Sequence, residues 1–273
     1  MKGLKGKNVL ITGSTSGIGQ SIAVYFAQQG ARVAINYRRS ESDAVETDEL
    51  IHAAFEGFEH EMAGHGLDHI LVQADVSKKE DVEKMVAETI EKLGGLDILI
   101  NNAGIQIPGD SHELDVDAFD RVLAVNLRGA YLCARAAIRH FLAENKPGVI
   151  INVSSVHQII PKPRFVGYSV SKGGMQYLTR TLALEYAGRG IRVNGIGPGA
   201  TVTPINRAWI DDPEKRVMVE SHIPMGRSGT SEEMAAVTAF LCSDDAAYIT
   251  GQTIFVDGGL TLYPDFRTAW SSE

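Results

Sequence analysis

The chain has 273 residues, 44% of them hydrophobic and 22% charged, an ordinary globular balance that can bury a sizeable core. Its net charge of −8 repels phosphate backbones and anionic lipid, which argues against nucleic acid and membrane as partners. Its two cysteines, Cys133 and Cys242, suit a reducing compartment and read as core thiols, not as a disulfide framework.

In chain order, the basic start Met1 to Lys7 runs straight into an apolar strand pattern, with no signal-peptide core behind it. No apolar run approaches the 18 residues that suggest a transmembrane helix. A soluble, cytoplasmic protein is expected. Strand-like apolar runs fall at 9–12, 32–37, 69–74, 97–101, 149–153, 192–196 and 253–256. Most are continuously apolar, as strands buried on both faces are. Amphipathic stretches lie between them. Ile18, Ile22, Tyr25 and Phe26 share one face, as do Val82, Met85, Val86, Ile90 and Leu93. The second of these opens with Ser77-Lys78-Lys79-Glu80, a capping-box pattern. The alternation predicts an α/β chain: one Rossmann-type, doubly wound, parallel seven-stranded sheet flanked by helices, a single domain over 1–273.

Residues 41–66 are rich in acids and carry His52, His60 and His65. The gap from His60 to His65 misses the His-Glu-x-x-His spacing by one residue, so a solvated helix and loop are expected and no metal site.

Gly13-Ser14-Thr15-Ser16-Gly17-Ile18-Gly19 follows the first strand and opens the first helix. Glycines there allow a tight turn and close approach to a pyrophosphate, and the helix end offers free N–H groups. The second strand ends in Tyr37-Arg38-Arg39. An acid that would bind a ribose 2′-hydroxyl is missing, and two guanidinium forks suit a 2′-phosphate. NADP is expected, with NAD possible.

Tyr168 and Lys172 are four residues apart, so on a helix they share a face. A nearby ammonium favours phenolate and makes Tyr168 a usable acid/base. Ser154-Ser155 ends the fifth strand, Asn101-Asn102-Ala103-Gly104 ends the fourth, Asn126 lies in the helix after it, and Pro198-Gly199 follows the sixth. All point to the carboxyl edge of an open sheet, where ligands bind.

With these motifs the chain resembles the short-chain dehydrogenase/reductase family over nearly its whole length. The matches are T-G-x-x-x-G-x-G at 12–19, Asp75-Val76, N-N-A-G at 101–104, Asn126, Ser155, Y-x-x-x-K at 168–172 and P-G-x-x-x-T at 198–203. The resemblance implies that Tyr168 takes the hydroxyl proton, Lys172 lowers its pKa and binds the nicotinamide ribose, and Ser155 bonds the reacting oxygen. It implies that Asn126 holds a water in a proton relay. Asp75 would meet the adenine, Asn102, Ala103 and Gly104 would line the cofactor cleft with Val76, Pro198, Gly199 and Thr201, and Thr203 would contact the carboxamide.

Within the family, Ser154 to His157, Thr203 to Asn206, Ile223 to Gly226 and the tail Thr261-Leu262-Tyr263-Pro264 resemble the bacterial glucose 1-dehydrogenases. That subgroup oxidises an aldose at C1 to the lactone. Gln106 stands near where its members carry a Glu, and Lys162 and Arg164 replace their Trp and Leu. Gln106, Ser155, His157 and Tyr168 are the expected substrate residues. Lys162 and Arg164 read as solvated charges, or as an attraction for an anionic substrate. The expected activity is oxidation of a glucose-like aldose. The alternative is NADPH-dependent reduction of a carbonyl such as a 3-oxoacyl thioester. A regulator that only senses redox state is disfavoured by the intact set Asn126, Ser155, Tyr168 and Lys172. The resemblance also implies a homotetramer, with segment 258–273 at a subunit interface.

Overall fold

A computed structural model describes residues 1–54 and 69–262. Strand β1 (Asn8–Ile11) leads into helix α1 (Gly17–Gln28), then β2 (Arg32–Tyr37), α2 (Glu41–Ala53), β3 (Ile70–Gln73), α3 (Lys79–Leu93) and β4 (Ile98–Asn101). Helix α4 (Val116–Leu123) passes through a π-helical stretch (Ala124–Gly129) into α5 (Ala130–Ala143). Next come β5 (Gly148–Val153), α6 (Val166–Tyr186), β6 (Ile191–Pro198), α7 (Arg207–Ile210), α8 (Pro213–Ser221), α9 (Ser231–Cys242) and β7 (Thr253–Val256). The expected sheet is present: seven strands in the order β3-β2-β1-β4-β5-β6-β7, every pair parallel.

Alternation along each strand divides one apolar run between two cores. Val9, Ile11, Ile98 and Ile100 pack with Ile22 and Phe26 of α1 and with Met234 and Ala235 of α9. Leu10 and Leu99 point the other way, into Val82 and Met85 of α3, Leu132 and Phe141 of α5, and Leu182 of α6. Phe26 and Phe141 are wholly buried, and truncating either to Ala would cost about 3–5 kcal/mol.

The chain leaves β1 toward β2 on one side and returns to β4 on the other. The connections that follow β1 and β4 therefore diverge, and a crevice opens between them at the carboxyl edge. One local expectation fails here. The start of α3 is capped by neither Ser77 nor any other side chain. The Ser77 hydroxyl donates instead to Asp75 Oδ1 at 2.6 Å, and the Asp75 N–H donates to Asp81. A short turn built on Asp75 outcompetes the cap because its carboxylate accepts both the Ser77 hydroxyl and the Ser77 N–H. A complete capping box does form on α9, between Thr230 and Glu233. Among the described residues no helix is long and apolar enough to cross a membrane.

Candidate active site

The crevice is a cleft of about 610 Å³, the size of a ligand site. Its cofactor-like end is the turn after β1. Gly13 sits at φ +61, and a Cβ there would press on Ala103 at 3.0 Å. At Gly19 a Cβ would meet the Asn102 amide and the Gly13 carbonyl, so α1 lies close against the next turn only because that residue is Gly. Ser16 caps α1 without a side-chain hydrogen bond, and Ser16, Gly17 and Ile18 line the cleft. A helix start without a side-chain cap, with its first residues on a cleft, suits an anionic pyrophosphate.

Two buried side chains hold this turn. Thr12 Oγ1 accepts the N–H groups of Asn102 and Ala103, both at 3.0 Å, and donates to Ile100 O. The Asn102 amide returns two bonds, to the Thr12 and Gly13 carbonyls. Asn36 Oδ1 accepts the Gly13 N–H at 3.0 Å, and its Nδ2 reaches the Val72 and Ala74 carbonyls. The turns after β1, β2, β3 and β4 are thus pinned to one another.

At the end of β2, Tyr37 and Arg38 line the cleft and face Asp75 across it. Burial pushes the Asp75 carboxyl upward, but bonds from Ser77 and the charges of Arg38 and Lys78 outweigh it and hold it below the usual range.

Tyr168 and Lys172 lie on α6 one turn apart, with the ammonium 5.6 Å from the phenol ring centre. Lys172 Nζ donates to the last carbonyl of β5, Val153 O, at 2.8 Å, which ties α6 to the strand that leads into Ser155. Burial lowers Lys172 to about 8. Burial also raises Tyr168, and Ser155 pulls it partly back by a hydrogen bond. Ser155 also accepts the His157 N–H at 3.1 Å, so its own proton is the one directed at the Tyr168 oxygen. His157 Nδ1 lies 2.9 Å from Ile160 O. A carbonyl only accepts, so Nδ1 carries the proton. Burial and the Lys162 charge lower the His157 pKa, so in the neutral ring Nε2 is an acceptor. The ring meets Tyr168 edge-on with centres 6.1 Å apart.

A model of the family described as enoyl-(acyl carrier protein) reductase matches residues 13–261, and the site it spans holds a nicotinamide-type cleft beside a Tyr-Lys-Ser cluster. The chain belongs to the short-chain dehydrogenase/reductase family. Glucose 1-dehydrogenase of Gluconobacter oxydans (strain 621H) is 50% identical over 267 residues, covering 98% of this chain and 96% of that protein. A 3beta-hydroxysteroid dehydrogenase of Eggerthella lenta is 49% identical, covering 97% of each chain. The structure of 3-ketoacyl-(acyl-carrier-protein) reductase from Brucella melitensis, complexed with NADH, matches with a TM-score of 0.84 at 36% identity, covering 95% of this chain and 100% of that one.

Against that short-chain dehydrogenase/reductase frame, most sequence-predicted residues line the cleft: Gly13, Ser16, Gly17, Ile18, Tyr37, Arg38, Asp75, Val76, Asn102, Ala103 and Gly104, with Gln106, Ser155, His157, Tyr168, Lys172, Pro198, Gly199, Thr201 and Thr203. Four do not. Ser14 is fully buried, bonding Ile11 O and the Asn36 N–H, and its neighbour Thr15 lines the cleft instead. Gly19 packs behind the turn. Arg39, in the bend beyond β2, is exposed outside the cleft. Asn126 is fully buried in the π-helical stretch. Its Oδ1 accepts the Ile105 N–H at 2.8 Å, and its Nδ2 donates to Ile105 O and Ser171 Oγ. Both amide protons are used, so this side chain clamps the loop after β4 to α6 and has no proton to offer a relay water. At Tyr168 burial outweighs the Ser155 hydrogen bond, so the phenol is raised above its ordinary value, opposite in direction to the lowering expected from Lys172.

Asp48, His52 and His69 bring three ligand atoms within 4.8 Å of one another, where the sequence suggested no ligand set. His69 precedes β3, so the cluster lies at the opposite end of the sheet from Tyr168. His60 and His65 fall outside the described residues. Cys133 and Cys242 are buried, and burial pushes Cys133 up to about 12 and Cys242 higher still. Both are inert core thiols.

Proposed function

We propose that this protein oxidises an aldose at C1 to the lactone, using NADP in preference to NAD. The carrying observation is the set of hydrogen-bonding groups around the phenol: the Ser155 hydroxyl, His157 Nε2 and the Gln106 amide, which open on one cleft with Tyr168. Gln106 Nε2 gives one of its two protons to Ile205 O at 3.1 Å, so its second N–H and its carbonyl oxygen are the groups offered to a sugar hydroxyl. Buried hydroxyls need such partners, since each one left unpaired costs about 1–3 kcal/mol. The likeness to a glucose 1-dehydrogenase supports the same reading.

Tyr168, as phenolate, takes the C1 hydroxyl proton while Ser155 donates to the reacting oxygen and holds it in place. Lys172, held on Val153 O beside the phenol, offers its ammonium to the nicotinamide ribose. Asn126 acts through Ser171 and Ile105 as a positioning residue. The nicotinamide cofactor, when bound, supplies the hydride acceptor. Arg38, on the cleft at the end of β2, fits a 2′-phosphate, which supports NADP.

Self-association is part of the proposal. Val170, Tyr177 and Leu184 are exposed at seven-residue spacing on α6, and Tyr131 is exposed on α5, an apolar face suited to a second copy. Tyr248, ahead of the edge strand β7, is fully exposed. That face and the open β7 edge beside Tyr248 support a homotetramer; a monomeric mass by light scattering at micromolar protein would rule it out. Residues 263–273 of the expected interface tail lie outside the described residues.

A second reading keeps the same catalytic set. The wall formed by Ile205, Trp209, Val219 and Leu260 is apolar and would suit an acyl chain, so reduction of a 3-oxoacyl thioester is the competing activity. Purified protein should be assayed for NADP and NAD reduction with glucose, galactose and xylose, and for NADPH oxidation with an oxoacyl thioester. Turnover of aldoses is expected. Turnover of the thioester alone would replace the first reading with the second.

A further inference from the structure

Two cations precede the catalytic helix, and the fold treats them differently. Arg164 pairs with Asp110, its Nε 3.1 Å from Oδ1, with both side chains more than half exposed. The Gly109 N–H bonds Arg164 O beside that pair, so Arg164 braces two loops to each other. It does not line the cleft. Lys162, two residues earlier, does. It has no ion pair among the described residues.

Lys162 is not a loose surface lysine. The residue is exposed at the mouth of the cleft, yet its Nζ rests 4.0 Å above the centre of the Phe165 ring, an arrangement that holds an ammonium in place. Packing around that ammonium lowers its pKa. Its charge is felt at His157, the ring set edge-on against Tyr168. The only carboxylate among the described residues that line the cleft is Asp75, which lies at the Arg38 end and is engaged by Ser77. At the substrate end stand Lys162, Lys172 and the neutral Gln106 and His157, and no acid balances the first.

We propose that Lys162 forms an anion subsite, so that the substrate is an aldose carrying a negatively charged group away from C1, a sugar carboxylate or a sugar phosphate. The inference rests on the aldose reading given above. A positioned cation with no counter-ion among the described residues is best satisfied by an anion that arrives with the ligand, through a charge-assisted hydrogen bond. The same charge draws anionic substrates to the mouth, an attraction that salt screens.

The test compares the wild-type enzyme with Lys162→Met and Lys162→Arg on glucose, glucuronate and glucose 6-phosphate. For the wild type, kcat/KM should be higher for one anionic sugar than for glucose and should fall as salt rises from 20 to 300 mM. Lys162→Met should lower kcat/KM for that anionic sugar about ten- to hundredfold, mainly through KM, and abolish the salt dependence. Its effect on kcat/KM for glucose should be several-fold smaller than its effect on that for the anionic sugar. Lys162→Arg should restore a large part of the loss. Whichever of carboxylate and phosphate shows the Lys162-dependent preference identifies the anion. Oxidation of glucose ahead of both anionic sugars, with Lys162→Met neutral on all three, would overturn the subsite and leave the aldose reading standing. Failure of all three sugars, with turnover of an oxoacyl thioester, would overturn the aldose reading itself.

Discussion

Thr12→Val replaces a hydroxyl with a methyl of the same shape, so it opens no cavity and changes only hydrogen bonding. Thr12 Oγ1 is the acceptor for the Asn102 and Ala103 N–H groups, both at 3.0 Å. Ile100 O, which the hydroxyl also meets, keeps the Thr12 N–H at 3.0 Å and is not orphaned. The loss is therefore two donors without an acceptor, at about 1–3 kcal/mol each. Both sites are part-buried, so water recovers some of this and roughly 2–4 kcal/mol should remain. For a chain of this size that is a fall in thermal midpoint of roughly 5–15 °C. The cofactor KM should rise as well, because Ala103 and Asn102 line the cleft. Thr12→Ser keeps the hydroxyl and should cost about 1 kcal/mol for its lost methyl. Thermal unfolding at fixed protein concentration, followed by circular dichroism, compares the three proteins. If Thr12→Val shifted the midpoint by under about 2 °C, or Thr12→Ser did as much harm as Thr12→Val, the hydroxyl would not be what holds the two turns together.

Arg38→Gln should raise the KM for NADP about tenfold or more and leave NAD within about twofold, whereas Arg39→Gln should leave both unchanged; equal effects on the two cofactors would show that Arg38 does not read the phosphate. Because burial raises the Tyr168 pKa, the phenolate needed for oxidation is scarce at neutral pH. Oxidation kcat/KM should therefore climb with pH from 7 to beyond 9, while reduction, which needs the protonated phenol, should stay flat over that range because the phenol remains protonated; a flat oxidation profile would contradict the sign. Exhaustive chelation should leave activity unchanged, since the Asp48–His52–His69 cluster is at the far end of the sheet; loss of activity restored by one divalent ion would refute this.

The strands and the pairing of Tyr168 with Lys172 on one helix were legible because each is written in a local pattern. Continuous apolar runs give buried parallel strands, and Tyr168 and Lys172 are four apart on one helix. What could not be read depends on neighbours distant in sequence. Ser14 looked like part of the phosphate turn, but its hydroxyl is drawn inward by Ile11 and Asn36. Ser77 had the pattern of a cap, but Asp75 offered a nearer acceptor. Asn126 lies behind the cleft lining, and its partners, Ile105 and Ser171, lie 21 and 45 residues away, so its clamping geometry had no local signature. Thr12 and Asn36 were missed as organisers of the site for the same reason. The one available clue was that each is a polar residue at the end of an apolar strand, a place where a side chain must answer for backbone groups that the sheet no longer pairs.

The central claim is that Tyr168 moves the proton during hydride transfer. Tyr168→Phe keeps the ring and removes only the hydroxyl, so it separates chemistry from binding. Steady-state turnover and cofactor affinity, the latter by fluorescence titration, should be measured on the same preparation. The account predicts a fall in kcat of about 10²–10⁴-fold with cofactor affinity unchanged within a few-fold. A variant that retained more than about a tenth of wild-type kcat would contradict it.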